Sequence, residues 1–116
     1  MDESDERRLR EAIAVERDRV RDQIANLERS FTSIVDAAEL TSTDDEHDPE
    51  GTTIAYERAQ VSALLDQARD DLVTLDVAVA RVDAGLADVC AVCGGSVGID
   101  RLLALPGVVT CVRCAG

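Results

Sequence analysis

In the second half of the chain, Val61, Leu65, Ala68, Leu72, Leu75, Val79, Val82 and Leu86 recur at steps of 4-3-4-3-4-3-4. That spacing keeps one apolar stripe facing a partner helix, and the positions between are largely Arg, Asp, Glu and Gln, as exposed faces require. The first half repeats the pattern through Ile13, Val20, Ile24, Leu27, Phe31, Ile34 and Ala38, with Arg17 interrupting the stripe. The spacing predicts one helix from about Ser4 to about Leu40 and a second from about Thr53 to about Leu86, each on the order of 50 Å long. Two helices of matched length joined by a short break fold back most simply as an antiparallel hairpin. No third amphipathic segment is present to complete a bundle. The aromatics are Phe31 and Tyr56, with no Trp, so narrow helix–helix seams suit this chain better than a thick core. The fold class expected is mainly α: a long antiparallel coiled-coil helical hairpin over residues 1–88, with an acidic tip at 41–52, followed by a small four-cysteine finger over residues 89–116.

The break between the helices, Leu40 to Thr53, is polar throughout, and Pro49 and Gly51 oppose helix continuation. Thr43 and Glu46 have the spacing to cap a short turn there. At its centre lies Asp44-Asp45-Glu46-His47-Asp48-Pro49-Glu50-Gly51, and residues 41–50 carry five acids and no base. The alternating acids do not make an EF-hand: counted from Asp44, the sixth and twelfth loop positions are Pro49 and Ala55, where Gly and Glu are needed. His47 is the lone histidine and reads as a solvent-facing loop residue.

The formal net charge is −12, and all 12 basic residues are Arg. Phosphate backbones and anionic membrane surfaces both repel such a chain, so no direct DNA or RNA binding and no membrane partner are expected. A basic groove or a site holding bound cations is the better electrostatic match. No apolar run approaches the ~20 residues of a membrane span, and the N-terminal segment lacks the apolar core of a signal peptide. The expected location is the cytoplasm, where structural disulfides are rare.

That setting decides how the cysteines read. Cys90 and Cys93 form one C-x2-C pair and Cys111 and Cys114 another, with seventeen residues between. Two such pairs at this separation are a zinc signature: each supplies two thiolates from a tight turn, and four complete a tetrahedron. Gly94 and Gly95 suit a turn that brings backbone close to sulfur. Four sulfurs leave no open position, so one structural zinc is expected rather than a catalytic one. A redox C-x-x-C would need a βαβ setting, and nothing here reads as one. A finger this small with no aromatic core also needs the metal to fold.

Two stretches, Asp44 to Gln60 and Cys90 to Cys114, resemble the DksA/TraR family of C4-type zinc-finger transcription regulators, in its actinobacterial form. Within the second, Arg101-Leu102-Leu103-Ala104-Leu105-Pro106 is similar to the Arg-Leu-x-Ala-x-Pro element of the family finger. The resemblance implies RNA polymerase as partner, with the coiled coil entering its secondary channel and acidic tip residues approaching the catalytic centre. Asp45 and Asp48 match the family's Asp-x-x-Asp-x-Ala tip pattern, with Asp44 beside them and Glu50 standing where the pattern has Ala. Gly85-Leu86-Ala87-Asp88 replaces the Gly-Thr-Tyr-Gly that precedes the first cysteine in the family. A C-terminal helix that some members use against polymerase is expected to be absent, and a lysine-free acidic chain argues against dependence on ppGpp. Arg101 and Pro106 are expected to shape the finger.

The function expected is therefore that of a polymerase-binding regulator of initiation. The alternative is a zinc-stapled coiled-coil interaction protein docking on a different partner, through apolar residues off the main seam such as Val15, Leu64 and Val77. An enzyme is not expected: no nucleophile–base pair, phosphate-binding glycine loop or open metal site is visible.

Overall fold

The computed structural model describes residues 1–40 and 49–115, with backbone only for 49 and 50. Helix α1 spans Glu3–Leu40, α2 spans Pro49–Asp83, a short α3 spans Ile99–Ala104, and a 3-10 turn spans Val112–Cys114. The acidic tip residues Asp44, Asp45 and Asp48 lie outside the described residues, as does the side chain of Glu50. Among the described residues, no helix is long and apolar enough to cross a membrane.

Local chemistry sets the helix ends. Asp2 caps α1, its Oδ1 accepting the N–H of Asp5 at 2.7 Å while its carbonyl accepts that of Glu6 at 2.9 Å. Glu3, Asp5 and Glu6 place negative charge at the positive end of the helix dipole. Helix α2 begins at Pro49, earlier than the predicted Thr53. Proline's missing N–H costs nothing in the first turn of a helix, so a residue that opposes helix continuation from its N-terminal side can open a helix of its own.

At its other end α2 stops at Asp83, short of the predicted Leu86. Gly85, at φ 74°, donates to the Val82 carbonyl at 3.0 Å, and Leu86 N–H reaches back to the Arg81 carbonyl at 2.8 Å. These two bonds are a Schellman cap with a left-handed glycine. The cap turns Leu86 out of the seam and leaves it 47% exposed, correcting its place in the predicted stripe.

The described chain divides into two compact units, one of Met1–Val20 with Asp71–Gly116 and one of Arg21–Asp70. In the first, Leu9, Ile13 and Val20 of α1 are almost wholly buried, with Leu75, Ala78 and Val82 of α2 and Ala87, Cys90, Val97, Leu102 and Cys111 of the finger. Leu9, Ile13, Ala78, Val82, Leu102, Pro106 and Val108 converge around a gap of about 10 Å³, close to the lower limit for one water. Leu9 and Ala78 lie outside the predicted stripes, yet both are buried because the finger adds a third layer. Arg10 pairs with Asp83 at 2.8 Å and Arg17 with Asp76 at 3.3 Å. Each pair sits one heptad from the other, in opposite directions on the two helices, which fixes an antiparallel register. Arg17, the predicted interruption, is thus accommodated by an acid on the facing helix.

In the second unit, Leu65 and Ala68 are buried, while Ile24, Leu27, Phe31, Ile34 and Val61 are half-buried. Glu28 and Arg69 approach within 4.0 Å across the pair, with both side chains more than half exposed. An ion pair of that kind contributes little; the stripe predicted from spacing supplies the packing.

Candidate metal centre

The chain between α2 and α3 folds into a tight turn that presents the first two cysteines. Val89 and Ser96 form an isolated antiparallel bridge, and inside it Cys90 N–H donates to the Gly95 carbonyl at 2.7 Å. Gly94 N–H then reaches the Cys90 carbonyl at 3.0 Å, with Gly94 at φ 75°. A side chain would strain that conformation, which is why glycine follows the pair. Gly95 lets the chain pass close to sulfur: a Cβ there would sit 3.4 Å from Cys93 Sγ.

The second pair is brought in by α3 and the segment after it. Arg101 Nε donates to the Thr110 carbonyl at 2.9 Å, and Ala91 N–H donates to the Val109 carbonyl at 2.8 Å, so the returning segment is held to both α3 and the first turn. Arg101 shapes the finger, as expected. The 3-10 turn Val112–Cys114 closes with Cys114 N–H on the Cys111 carbonyl at 3.1 Å. Gly107 lies against α2, where an added Cβ would come within 2.8 Å of Thr74 Cγ2. Only glycine permits that approach.

The four Sγ atoms of Cys90, Cys93, Cys111 and Cys114 all lie within 4.8 Å of one another, and no disulfide joins them. Cys93 Sγ and Cys111 Sγ are 3.7 Å apart. A ZnS4 tetrahedron with Zn–S bonds of about 2.3 Å has an edge of about 3.8 Å, so this donor set fits zinc in both chemistry and size.

Backbone N–H groups point at the sulfurs. Val92 and Cys111 donate to Cys90 Sγ at 3.4 and 3.3 Å, and Gly95 donates to Cys93 Sγ at 3.4 Å. Hydrogen bonds from the backbone of Cys93 foremost, and then of Cys111, bring the Cys90 thiol down to about 6. The Cys114 backbone lowers that of Cys111 in the same way. Cys114 is pushed up to about 12, chiefly by its hydrogen bond to Cys111. The backbone donors therefore favour negative sulfur at Cys90 and move Cys111 in the same direction, whereas Cys114 holds its proton more tightly. A dication at the centre removes that conflict, because metal-bound thiols are deprotonated outright.

Sequence reasoning missed two residues that support this centre. Asp88, noted only as a departure from the family pattern, accepts three hydrogen bonds across the first turn. Arg81, at the end of α2, donates to the carbonyls of Leu86, at 3.0 Å, and Val89. A basic residue in the last turn of a helix was the one available signal for Arg81; the partners of Asp88 depend on the folded turn.

The family model of the prokaryotic dksA/traR C4-type zinc finger matches residues 84–116. Comparison with curated proteins finds no match. Among solved structures, the transcription factor DksA2 from Pseudomonas aeruginosa is similar, with a TM-score of 0.82 at 20% identity, over 97% of this chain and 81% of that chain. At that identity the likeness speaks for the fold, which is the helical hairpin with a C-terminal finger expected from the sequence. The DksA/TraR likeness in sequence rests on the finger, residues 84–116, and the structural likeness adds the fold: this chain carries a C4 zinc finger of the dksA/traR type, whose four cysteines can hold one metal ion, on a hairpin-and-finger fold similar to that of DksA2.

Proposed function

We propose that this protein is a transcription regulator that binds RNA polymerase, its coiled-coil tip entering the secondary channel to modulate initiation. The single observation that carries the reading is the family finger on a DksA-type fold. The charge supports it independently, since a net charge of −12 suits a basic channel better than nucleic acid. In this reading residues 1–88 reach the polymerase and residues 89–116 form the stabilising finger, with Cys90, Cys93, Cys111 and Cys114 as the zinc ligands. Asp45 and Asp48 are the principal tip contacts, flanked by Asp44 and Glu50. The protein acts in the cytoplasm, without enzymatic activity and without direct DNA or RNA contact, and its lysine-free, acidic composition argues against dependence on ppGpp.

The test is co-purification with core RNA polymerase, followed by transcription in vitro with Asp45→Asn and Asp48→Asn. Wild-type protein that neither binds polymerase nor changes promoter output refutes the function. Variants with full activity refute the tip mechanism alone.

A second reading, docking on a different protein, is favoured by apolar side chains outside the seam: Val15 is 64% exposed, Leu64 45% and Val77 47%. It predicts capture of another partner in the same pull-down, with no polymerase.

A further inference from the structure

The turn that presents Cys90 and Cys93 is closed at its neck by one carboxylate. Asp88 Oδ1 accepts the Gly98 N–H at 2.7 Å and the Ser96 hydroxyl at 2.9 Å, and Oδ2 shares that hydroxyl at 3.0 Å. The Asp88 carbonyl accepts the Val97 N–H at 2.9 Å. One residue thus ties the incoming strand to three consecutive residues of the outgoing one. The bonds enclose the Val89–Ser96 bridge and the Cys90–Gly95 hydrogen bond. Arg81 fastens the incoming side of the neck to α2 through the Leu86 and Val89 carbonyls. Cys90 follows directly, and its sulfur receives N–H groups from both halves of the finger.

We propose that Asp88 is a positioning residue for the metal: its carboxylate closes the neck of the first turn and presets Cys90 and Cys93 to bind zinc. This rests on the reading of the four cysteines as ligands, and not on any polymerase interaction. Charge and hydrogen bonding predict opposite effects here. A zinc centre with four thiolates carries net negative charge, so a nearby carboxylate opposes it through space. The carboxylate's value lies in accepting bonds that hold the turn, and groups that orient metal ligands typically change affinity by 10–100-fold. Asparagine keeps an acceptor at this position without the charge; alanine keeps neither.

The experiment measures zinc affinity of the full chain by competition with a chromophoric chelator, under reducing conditions. Helix content is followed by circular dichroism and sulfur ligation by the cobalt(II) charge-transfer spectrum. Asp88→Ala is expected to weaken zinc binding by about tenfold or more, with helix content retained. Asp88→Asn is expected to retain at least about a third of the wild-type affinity. Ser96→Ala, which removes one donor and leaves the backbone intact, is expected to weaken binding by about two- to fivefold, and it carries the test if Asp88→Ala does not fold. The proposal is overturned if Asp88→Ala folds and binds as tightly as wild type, if Asp88→Asn is as weak as Asp88→Ala, or, where Asp88→Ala does not fold, if Ser96→Ala binds as tightly as wild type. A Cys90→Ser chain that still binds zinc with wild-type affinity instead overturns the ligand assignment, whatever Asp88 does.

Discussion

The unit that carries the finger and the unit of residues 21–70 are built on the same apolar spacing, yet they bury it to different depths. In the first, Leu9, Ile13, Val20, Leu75 and Val82 are almost wholly enclosed; in the second, among the described residues, only Leu65 and Ala68 are, and Phe31 and Ile34 stay half-buried. Two helices facing each other cover one stripe and leave its flanks open to water. A third layer closes the flank, and here that layer is the finger, which has no large apolar core of its own. Depth of burial in this protein therefore follows the metal centre as much as the heptad.

The strongest way to break that comparison is to remove the metal. Structural zinc contributes on the order of 10 kcal/mol to small domains of this kind. Chelation under reducing conditions is expected to abolish amide protection across residues 84–116 and to loosen the turns around Leu9 and Ile13. Exchange across residues 21–70 is expected to change little. Protection that persists at Leu102 and Cys111 after zinc is gone would show that packing alone holds the finger.

Truncation probes the same contrast without touching the ligands. Leu9→Ala removes a side chain that is 1% exposed and is expected to cost about 2–4 kcal/mol, through lost transfer energy and an unfilled cavity. Ile34→Ala removes a half-buried side chain and is expected to cost no more than about half as much. Urea titration of the zinc-loaded variants measures both. Equal costs would mean that the finger adds exposure statistics rather than stability.

Gly107 tests how closely the third layer must approach. A Cβ at this position would meet Thr74 Cγ2 at 2.8 Å, and a β-branched side chain has little freedom to yield. Gly107→Ala is expected to cost about 1–3 kcal/mol as overpacking. Thr74→Ser deletes the offending methyl, so the double variant is expected to recover most of the loss. A cost that persists in the Thr74→Ser background would assign it to the backbone instead.

The two regions also differ in how far sequence could see. The seam was legible because periodicity is local: Leu65, Ala68, Leu75 and Val82 are buried where the 4-3 spacing puts them. The four cysteines were legible because their spacing alone encodes a shared centre. The end of α2 was legible in principle, since Gly85 is the residue a left-handed cap requires, but the apolar match at Leu86 outweighed it. Leu9 and Ala78 were not, because they face a layer that approaches from more than twenty residues along the chain. Asp88 was hidden for a different reason: its partners lie only eight to ten residues on, but they are defined only once the turn closes.

The smallest expected effect separates two ion pairs that look alike in sequence. Arg10 and Asp83 meet at 2.8 Å with side chains 43% and 60% exposed, whereas Arg17 approaches Asp76 at 3.3 Å and is only 26% exposed. Among the described residues, Arg17 Nε is a buried nitrogen without a hydrogen bond: the distance to Asp76 satisfies an ion pair but the angle does not satisfy a hydrogen bond. Asp83→Asn is expected to cost about 0.5 kcal/mol or less, as exposed pairs do. Asp76→Asn leaves a guanidinium in the seam with no countercharge and is expected to cost about 1 kcal/mol. Raising salt from about 0.1 M to about 1 M should erase most of the first difference and less of the second, because partly buried charges are screened less. Urea titrations of both variants at the two salt concentrations decide it: equal costs that vanish together would make Arg17 a surface residue that merely sits at a seam position.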